Sequence, residues 1–335
     1  MNKLTKIGAS ALCGSLAAIS AAHAGELTVT GGADMTWMSK SGQETGNPIG
    51  IGSDFAFAGS GELDNGWTVA LSIAHGGAGA YSNANVTITV PGLGAIRVDQ
   101  GVSATGIQRL DDMTPSVWEE ADGAGQAAGI TKIAGVSAGG NIEISAIEAA
   151  PAGLGLRLAY AADADSSSTT GDKGVGGASG VQGSGWDATV EITSDLHGVD
   201  GLTVYGGISQ VDQYQNGNTV NGDSEETVLG VKYAAGSFSF GYQQSDDETG
   251  LTAATEYENT SYSVTFNVND DLSIGYNHIE SDKQGDSDTA EADSLQLAYT
   301  MGGASIRIAE VNTDNGSYTA GNNNDATVIS LGLAF

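Results

Sequence analysis

Apolar and polar residues alternate from Leu27 onward, and the pattern returns about every twenty residues to the end of the chain. That is the signature of strands with one apolar face. Leu27, Val29, Ala33, Met35 and Trp37 interleave with Thr28, Thr30, Asp34 and Thr36. The apolar phase recurs at Phe55/Phe57/Leu63, Trp67/Val69/Leu71/Ile73, Val86/Ile88/Val90 and Ile96/Val98. After a gap it returns at Ile142/Ile144/Ala146, Leu154/Leu156/Leu158/Tyr160, Trp186/Ala188/Val190/Ile192 and Leu202/Val204/Ile208. It then runs through Leu229/Val231/Tyr233, Phe238/Phe240/Tyr242, Tyr262/Val264/Phe266 and Leu272/Ile274/Tyr276. Leu295/Leu297/Tyr299, Ile306/Ile308 and Ile329/Leu331/Leu333/Phe335 complete the set, so sixteen strands are predicted.

The connectors alternate in length. Short ones read as tight turns: Asp64-Asn65-Gly66, Pro91 to Gly94, Ala150 to Gly153, Ala234 to Gly236, Asn267 to Asp271 and Met301 to Gly303, with Ser194 to Gly201 the longest of them. Between them lie longer polar segments: Ser39 to Gly52, Gly76 to Asn83, Gly101 to Gly140, Asp163 to Ser184, Asp212 to Glu225, Ser245 to Glu256, Ser281 to Glu291 and Thr313 to Asn324. Short turns on one side and long loops on the other are the pattern of a transmembrane β-barrel. Backbone N–H and C=O groups in lipid must all be paired, so a sheet can span a membrane only as a closed cylinder. Alternation alone also fits a soluble barrel, sandwich or solenoid. Against these, sixteen strands make a cylinder too wide for its Ser, Thr, Ala and Gly phase to fill as a core. Trp37, Trp67, Tyr160, Trp186, Tyr233, Tyr242, Tyr276 and Tyr299 also gather near strand ends, as interfacial girdles do.

The N-terminus predicts export. Lys3 and Lys6 precede an apolar stretch from Ile7 to Ile19, and Ala22-His23-Ala24 supplies small residues before a cleavage point between Ala24 and Gly25. The expected organisation is a leader over 1–24 and one barrel domain over 25–335. Cys13, the chain's single cysteine, leaves with the leader, so no disulfide framework is expected. The formal charge of −30 falls by two more when Lys3 and Lys6 are removed, which argues against nucleic acid as a partner.

The segment Leu93 to Gly101, LGAIRVDQG, resembles the strand before the constriction loop of general trimeric outer-membrane porins, and Asn141 to Tyr160 is similar to the hairpin that follows that loop. The terminal Phe335, in phase with Leu333 and Leu331, resembles the assembly signal of outer-membrane barrels. The likeness is to Gram-negative porins of the alphaproteobacterial type. It implies an outer-membrane homotrimer embedded in lipid and lipopolysaccharide, which passes small hydrophilic solutes and ions. It also implies that residues 101–140 fold into the lumen and narrow it.

That stretch carries Asp111, Asp112, Glu119, Glu120 and Asp122 against Arg109 and Lys132. Carboxylates crowded at a constriction raise the local concentration of cations, so a cation preference is expected. If the apolar phase meets lipid, the opposite phase places Asp34, Asp54, Glu62, Asp99, Glu143, Asp187 and Glu191 in the lumen. The same phase holds Arg97, Arg157, Lys232 and Arg307, the basic wall that related porins set opposite the loop acids. A solvated acidic surface loop and wall ion pairs that only brace it are the plainer readings.

No cofactor is implied. Asp246-Asp247-Glu248 and Asp282/Asp286/Asp288 could hold Ca²⁺ or Mg²⁺ and bridge to lipopolysaccharide, but they match no ligand-loop motif and read as solvated loops. An enzyme would need a nucleophile and base. His75 and His278 fall in the lipid phase and His197 in a turn, so no such arrangement is indicated. A substrate-specific channel is the alternative within transport, and a surface cation-binding or adhesive β-protein the weaker one outside it.

Overall fold

The computed structural model describes residues 27–41, 46–77, 80–111, 113–125, 128–165, 182–213, 222–252 and 256–334. Its strands in the first half are β1 (Leu27–Ser41), β2 (Ile49–Glu62), β3 (Thr68–Gly76), β4 (Ala80–Val90), β5 (Gly94–Asp99), β6 (Asn141–Ser145), β7 (Leu154–Ala161) and β8 (Gln182–Ile192). The second half holds β9 (Leu202–Gln213), β10 (Ser224–Ala235), β11 (Phe238–Glu248), β12 (Glu256–Asn267), β13 (Leu272–Lys283), β14 (Ala290–Met301), β15 (Ala304–Asp314) and β16 (Asn324–Ala334). Each pairs antiparallel with the next, and β16 pairs with β1 from Gly32↔Ala334 to Ser41↔Asp325, so the sixteen strands close into a barrel. Closure leaves no edge whose backbone groups would lie unpaired in lipid.

The predicted turns form for local reasons. At Asp64-Asn65-Gly66, the Gly66 N–H donates to the Leu63 carbonyl at 2.8 Å and the Trp67 N–H to Asn65 Oδ1 at 3.1 Å, which reverses the chain between β2 and β3. The longer connection after β8 winds into one short helix, α1 (Ser194–His197). Among the described residues no helix is long and apolar enough to cross a membrane.

On the long-loop side the ladders run further than the apolar alternation does. Asp246, Asp247 and Glu248, expected in a loop, belong to β11 and face Glu258, Tyr257 and Glu256 of β12. Asp282 likewise lies in β13, while Asp286, beyond it, pairs with Lys283 at 2.7 Å. Backbone pairing does not require apolar side chains, so the sheet continues past the lipid-facing band. β4 also starts inside the predicted Gly76 to Asn83 loop, after a register shift at Ala74/His75.

The apolar phase points outward. Ile51 is 77 % exposed, Leu229 65 % and Leu295 61 %, whereas inward Ser294 and Ser330 are fully covered and Gln296 is 1 % exposed. In water each such leucine or isoleucine would forgo about 1.5–3 kcal/mol of burial, and hydrocarbon removes that cost. Every described lysine or arginine in the strands, Lys40, Arg97, Arg157, Lys232, Lys283 and Arg307, falls in the inward phase. A cation on the lipid face near mid-membrane would cost about 2–4 kcal/mol.

The interior core is a layer between the inner wall and the long segment joining β5 to β6. Ile107, Leu110 and Ile133 of that segment pack on Tyr205 and Val228, with Met113 against them. Val136 packs with Ala159, Ala161 and Val211, and Ala124 with Ala309 and Val311. Inward positions of β8–β16 are mostly buried by this layer, while those of β1–β4, Gly32 apart, stay half-buried or exposed. The open passage therefore runs along the inner faces of β1–β4.

Candidate pore constriction

The segment leaves β5 under the control of Asp99. Its Oδ1 accepts the N–H groups of Gly101, Val102 and Ser103 at 2.9, 3.2 and 3.3 Å, and its Oδ2 takes Arg97 at 2.8 Å. Next come two short 3₁₀ turns, Gly106–Leu110 on the outgoing arm and Gly135–Ala138 on the returning arm. Between them the loop crosses the inner wall. Gln243 Nε2 donates to the Asp111 carbonyl at 3.2 Å, Asn277 Nδ2 to the Pro115 carbonyl at 3.0 Å and Asn259 Nδ2 to the Thr131 carbonyl at 2.9 Å. Gln296 accepts the Trp118 N–H at 2.8 Å and donates to the Glu119 carbonyl. Five of the loop's peptide groups are thus met by wall amides, which offsets the cost of laying polar backbone inside the barrel.

The loop acids gather around one cation. Lys132 Nζ lies 3.2 Å from Asp122 Oδ1 and 3.8 Å from Asp111 Oδ2, and it also bonds Glu120. Burial alone would push its ammonium toward losing the proton, but Glu120, Asp122 and Asp111 more than offset this and raise its pKa. Glu119 is exposed on the same arm. Asp112 lies outside the described residues, as do Ala24, Gly25 and Phe335.

The wall arginines pair with wall acids. Arg157 reaches Glu143 at 3.4 Å, and the same carboxylate takes the loop's Arg109 in a fork of two 3.2 Å contacts. Arg307 bonds Asp34 and the Ser330 hydroxyl, the latter at 2.8 Å, and lies 5.1 Å from the Trp118 ring centroid. Lys232 stands over the Tyr205 ring, 3.9 Å from Met113 Sδ. Asp54 accepts the Gly77 N–H at 3.1 Å, and Glu62 is exposed at the turn-side end of β2. Glu191 is inward on β8, paired in register with Tyr205. Glu143 and Asp187 also face inward, yet they lie beneath the loop at 1 % and 0 % exposure, out of reach of the open passage.

Two further acids belong to the same layer: Glu226, which the sequence reading did not name, and Asp247, which it placed in a solvated loop. Glu226 is inward on β10 and accepts loop N–H groups, and Asp247 is its direct cross-strand neighbour. The signal was available, because the phase opposite Leu229 runs back through Val228, Glu226 and Ser224. Two of the described histidines pack among outward aromatic rings. His75 stacks between Phe55 and Tyr81 at 4.9 and 4.4 Å, and His278 stacks on Tyr262 and contacts Asp293 at 2.9 Å.

The model of the Gram-negative porin family matches residues 8–335. Comparison with curated proteins gives no match. Among solved structures, the anion-selective porin from Comamonas acidovorans superposes with a TM-score of 0.66 at 15 % identity, covering 92 % of this chain and 99 % of that one. OmpF of Salmonella typhi, solved with daunomycin, gives 0.67 at 12 % identity, covering 95 % and 100 %. A double mutant of Rh. blastica porin gives 0.58 at 13 % identity, covering 92 % and 100 %. These neighbours share the barrel, and the family match extends over nearly the whole chain: the protein belongs to the Gram-negative porins, channels of the outer membrane.

Proposed function

We propose that this porin passes small hydrophilic solutes by passive diffusion and prefers cations, as a homotrimer whose leader is removed between Ala24 and Gly25. The observation that carries the preference is the loop cluster, where Asp111, Glu120 and Asp122 share the single ammonium of Lys132. Glu119 adds an exposed carboxylate beside it, and the chain as a whole is strongly acidic. A negative potential inside a low-dielectric wall draws in cations and repels anions. The fold does not choose the sign, since the Comamonas neighbour is described as anion-selective. Side chains choose it.

Loop acids and the Arg97/Arg157/Arg307 wall would together set a transverse field across the passage, with Lys232 placed behind the loop. Trimer formation is supported by family and by an outward face on β1–β8 that carries no acid, lysine or arginine. No cofactor is needed for passive flow.

The test is the reversal potential of the purified protein across a KCl gradient in a planar bilayer. A potential of the sign that indicates K⁺ preference is expected. It should be larger in Lys132→Met and shrink toward 1 M salt, where screening acts over about 3 Å. A Cl⁻ preference in the unaltered protein would contradict the proposal.

A further inference from the structure

The two arms of the constriction loop meet the wall at one buried carboxylate. Asp187 Oδ2 accepts the Ile107 N–H of the outgoing arm at 3.0 Å, and both its oxygens accept the Val136 N–H of the returning arm at 3.3 Å. Its neighbours extend the grip. Glu143 Oε2 takes the Gly106 N–H at 2.9 Å, while Glu226 takes those of Gly135 at 2.8 Å and Ala134 at 3.1 Å. Neither 3₁₀ turn is capped by its own N-terminal side chain, so the wall supplies the acceptors. Gly106 and Gly135 have φ of +54° and +55°, and a Cβ on either would run into the Asp187 carboxylate. Both glycines are therefore required for the arms to close on that one group.

The acids form a row across the sheet. Asp187 faces Ser209, Ser209 faces Glu226 and Glu226 faces Asp247, all inward and buried. Among the described residues Asp187 and Glu226 form no ion pair with lysine or arginine, and backbone N–H groups meet their charge instead. Such charge-assisted bonds are about twice as strong as neutral ones, and an amide in place of the carboxylate would confront these N–H groups with a further donor.

We propose that Asp187, flanked by Glu143 and Glu226, is the positioning residue that locks the loop at its neck and so holds the channel open. The inference rests on the porin reading above and adds where the loop is held. Ser137 Oγ also ties the arms to each other, accepting the Thr105 N–H at 3.4 Å and donating to the Ser103 carbonyl at 3.1 Å, and contacts further along the loop, such as those of Gln296 and Asn277, steady its course. Of the wall carboxylates that take loop N–H groups, Asp187 alone takes them from both arms.

Single-channel recording at rising voltage tests it. Asp187→Asn should keep the open-channel conductance step and close about tenfold more often than the parent, the effect of roughly one weakened charge-assisted bond. Glu258→Gln, on the outer wall, should close as the parent does. A crosslink supplies the readout that a merely structural role would not move. A Cβ on Gly275 of β13 would lie 3.4 Å from the Val117 Cβ of the loop, close to the Cβ–Cβ separation of about 3.5–4.5 Å usual in disulfides. In Asp187→Asn carrying Val117→Cys and Gly275→Cys, oxidation should return closures to the parental rate and reduction should release them.

If Asp187→Asn does not assemble, Gly135→Ala gives the same readout, because it keeps every carboxylate and drives a methyl group into the latch. Parental gating in every variant that assembles would overturn the proposal, and so would closures that persist when the crosslink is oxidised. No conductance step from the parent itself would instead overturn the porin reading.

Discussion

The outward face of β1–β8 and that of β9–β16 are made of different residues. In the first half the outward strand positions carry Ile49, Ile51, Phe55, Leu71, Val98 and Leu158 among small or hydroxyl residues, with no acid, lysine or arginine. In the second half the apolar band gives way, toward the long loops, to Glu225, Asp246, Glu248, Glu258, Asp282, Glu291 and Asp314. Many of these face one another across strands: Glu225↔Glu248, Asp246↔Glu258, Glu258↔Asp282 and Glu291↔Asp314. Like charges directly opposite are destabilising, so only a water-exposed rim tolerates them. The inner faces differ in the opposite sense, open on β1–β4 and covered by the loop on β8–β16. One alternating code is thus used for two jobs: β1–β8 keep their outside uncharged to the rim, with the inside of β1–β4 left free for solute, and β8–β16 give their inside to the loop.

The largest expected effect separates the two rims. If copies of the chain meet on the charge-free half, Ile51→Asp should convert trimers to monomers on native gels and in light scattering, because it removes a burial term of about 1.5–3 kcal/mol per interface and adds a charge. Thr260→Asp, on the acidic half, should leave the trimer intact. Equal behaviour of the two variants would erase the distinction drawn between the halves.

The smallest effect concerns the acidic rim alone. Glu258→Gln relieves repulsion with Asp246 and Asp282 and should stabilise the barrel by about 0.2–1 kcal/mol at low salt. In 1 M salt, where charges are screened beyond about 3 Å, the gain should vanish. A gain that survives high salt would point to packing rather than charge.

The sequence showed the strands well because each obeys one rule, apolar to lipid and polar to water, repeated sixteen times. Val204 and Ile208 declare their strand without help from any distant residue. Where charged residues replaced the apolar phase, the rule lost its visible half, and Asp246-Asp247-Glu248 read as a loop although β11 runs through it. The site was less legible. Glu143 and Asp187 show as inward acids from phase alone, but whether such an acid meets water or a loop depends on contacts nearly forty to eighty residues away, as Gly106 with Glu143 and Ile107 with Asp187 illustrate. Lys132 could be named as a loop cation, yet nothing in its neighbourhood along the chain shows it at the centre of Asp111, Glu120 and Asp122.

Which face of the wall meets hydrocarbon decides both where the passage lies and which residues line it. Single cysteines placed along β3, at Ala70, Leu71, Ser72, Ile73 and Ala74, can be read in lipid vesicles once Cys13, the one other thiol, is replaced by Ser. Brominated lipid should quench a fluorophore at Leu71 and Ile73, while a small water-soluble thiol reagent should reach Ala70, Ser72 and Ala74. The reverse alternation, or none, would show that the greasy side chains do not look outward and would contradict the account at its root.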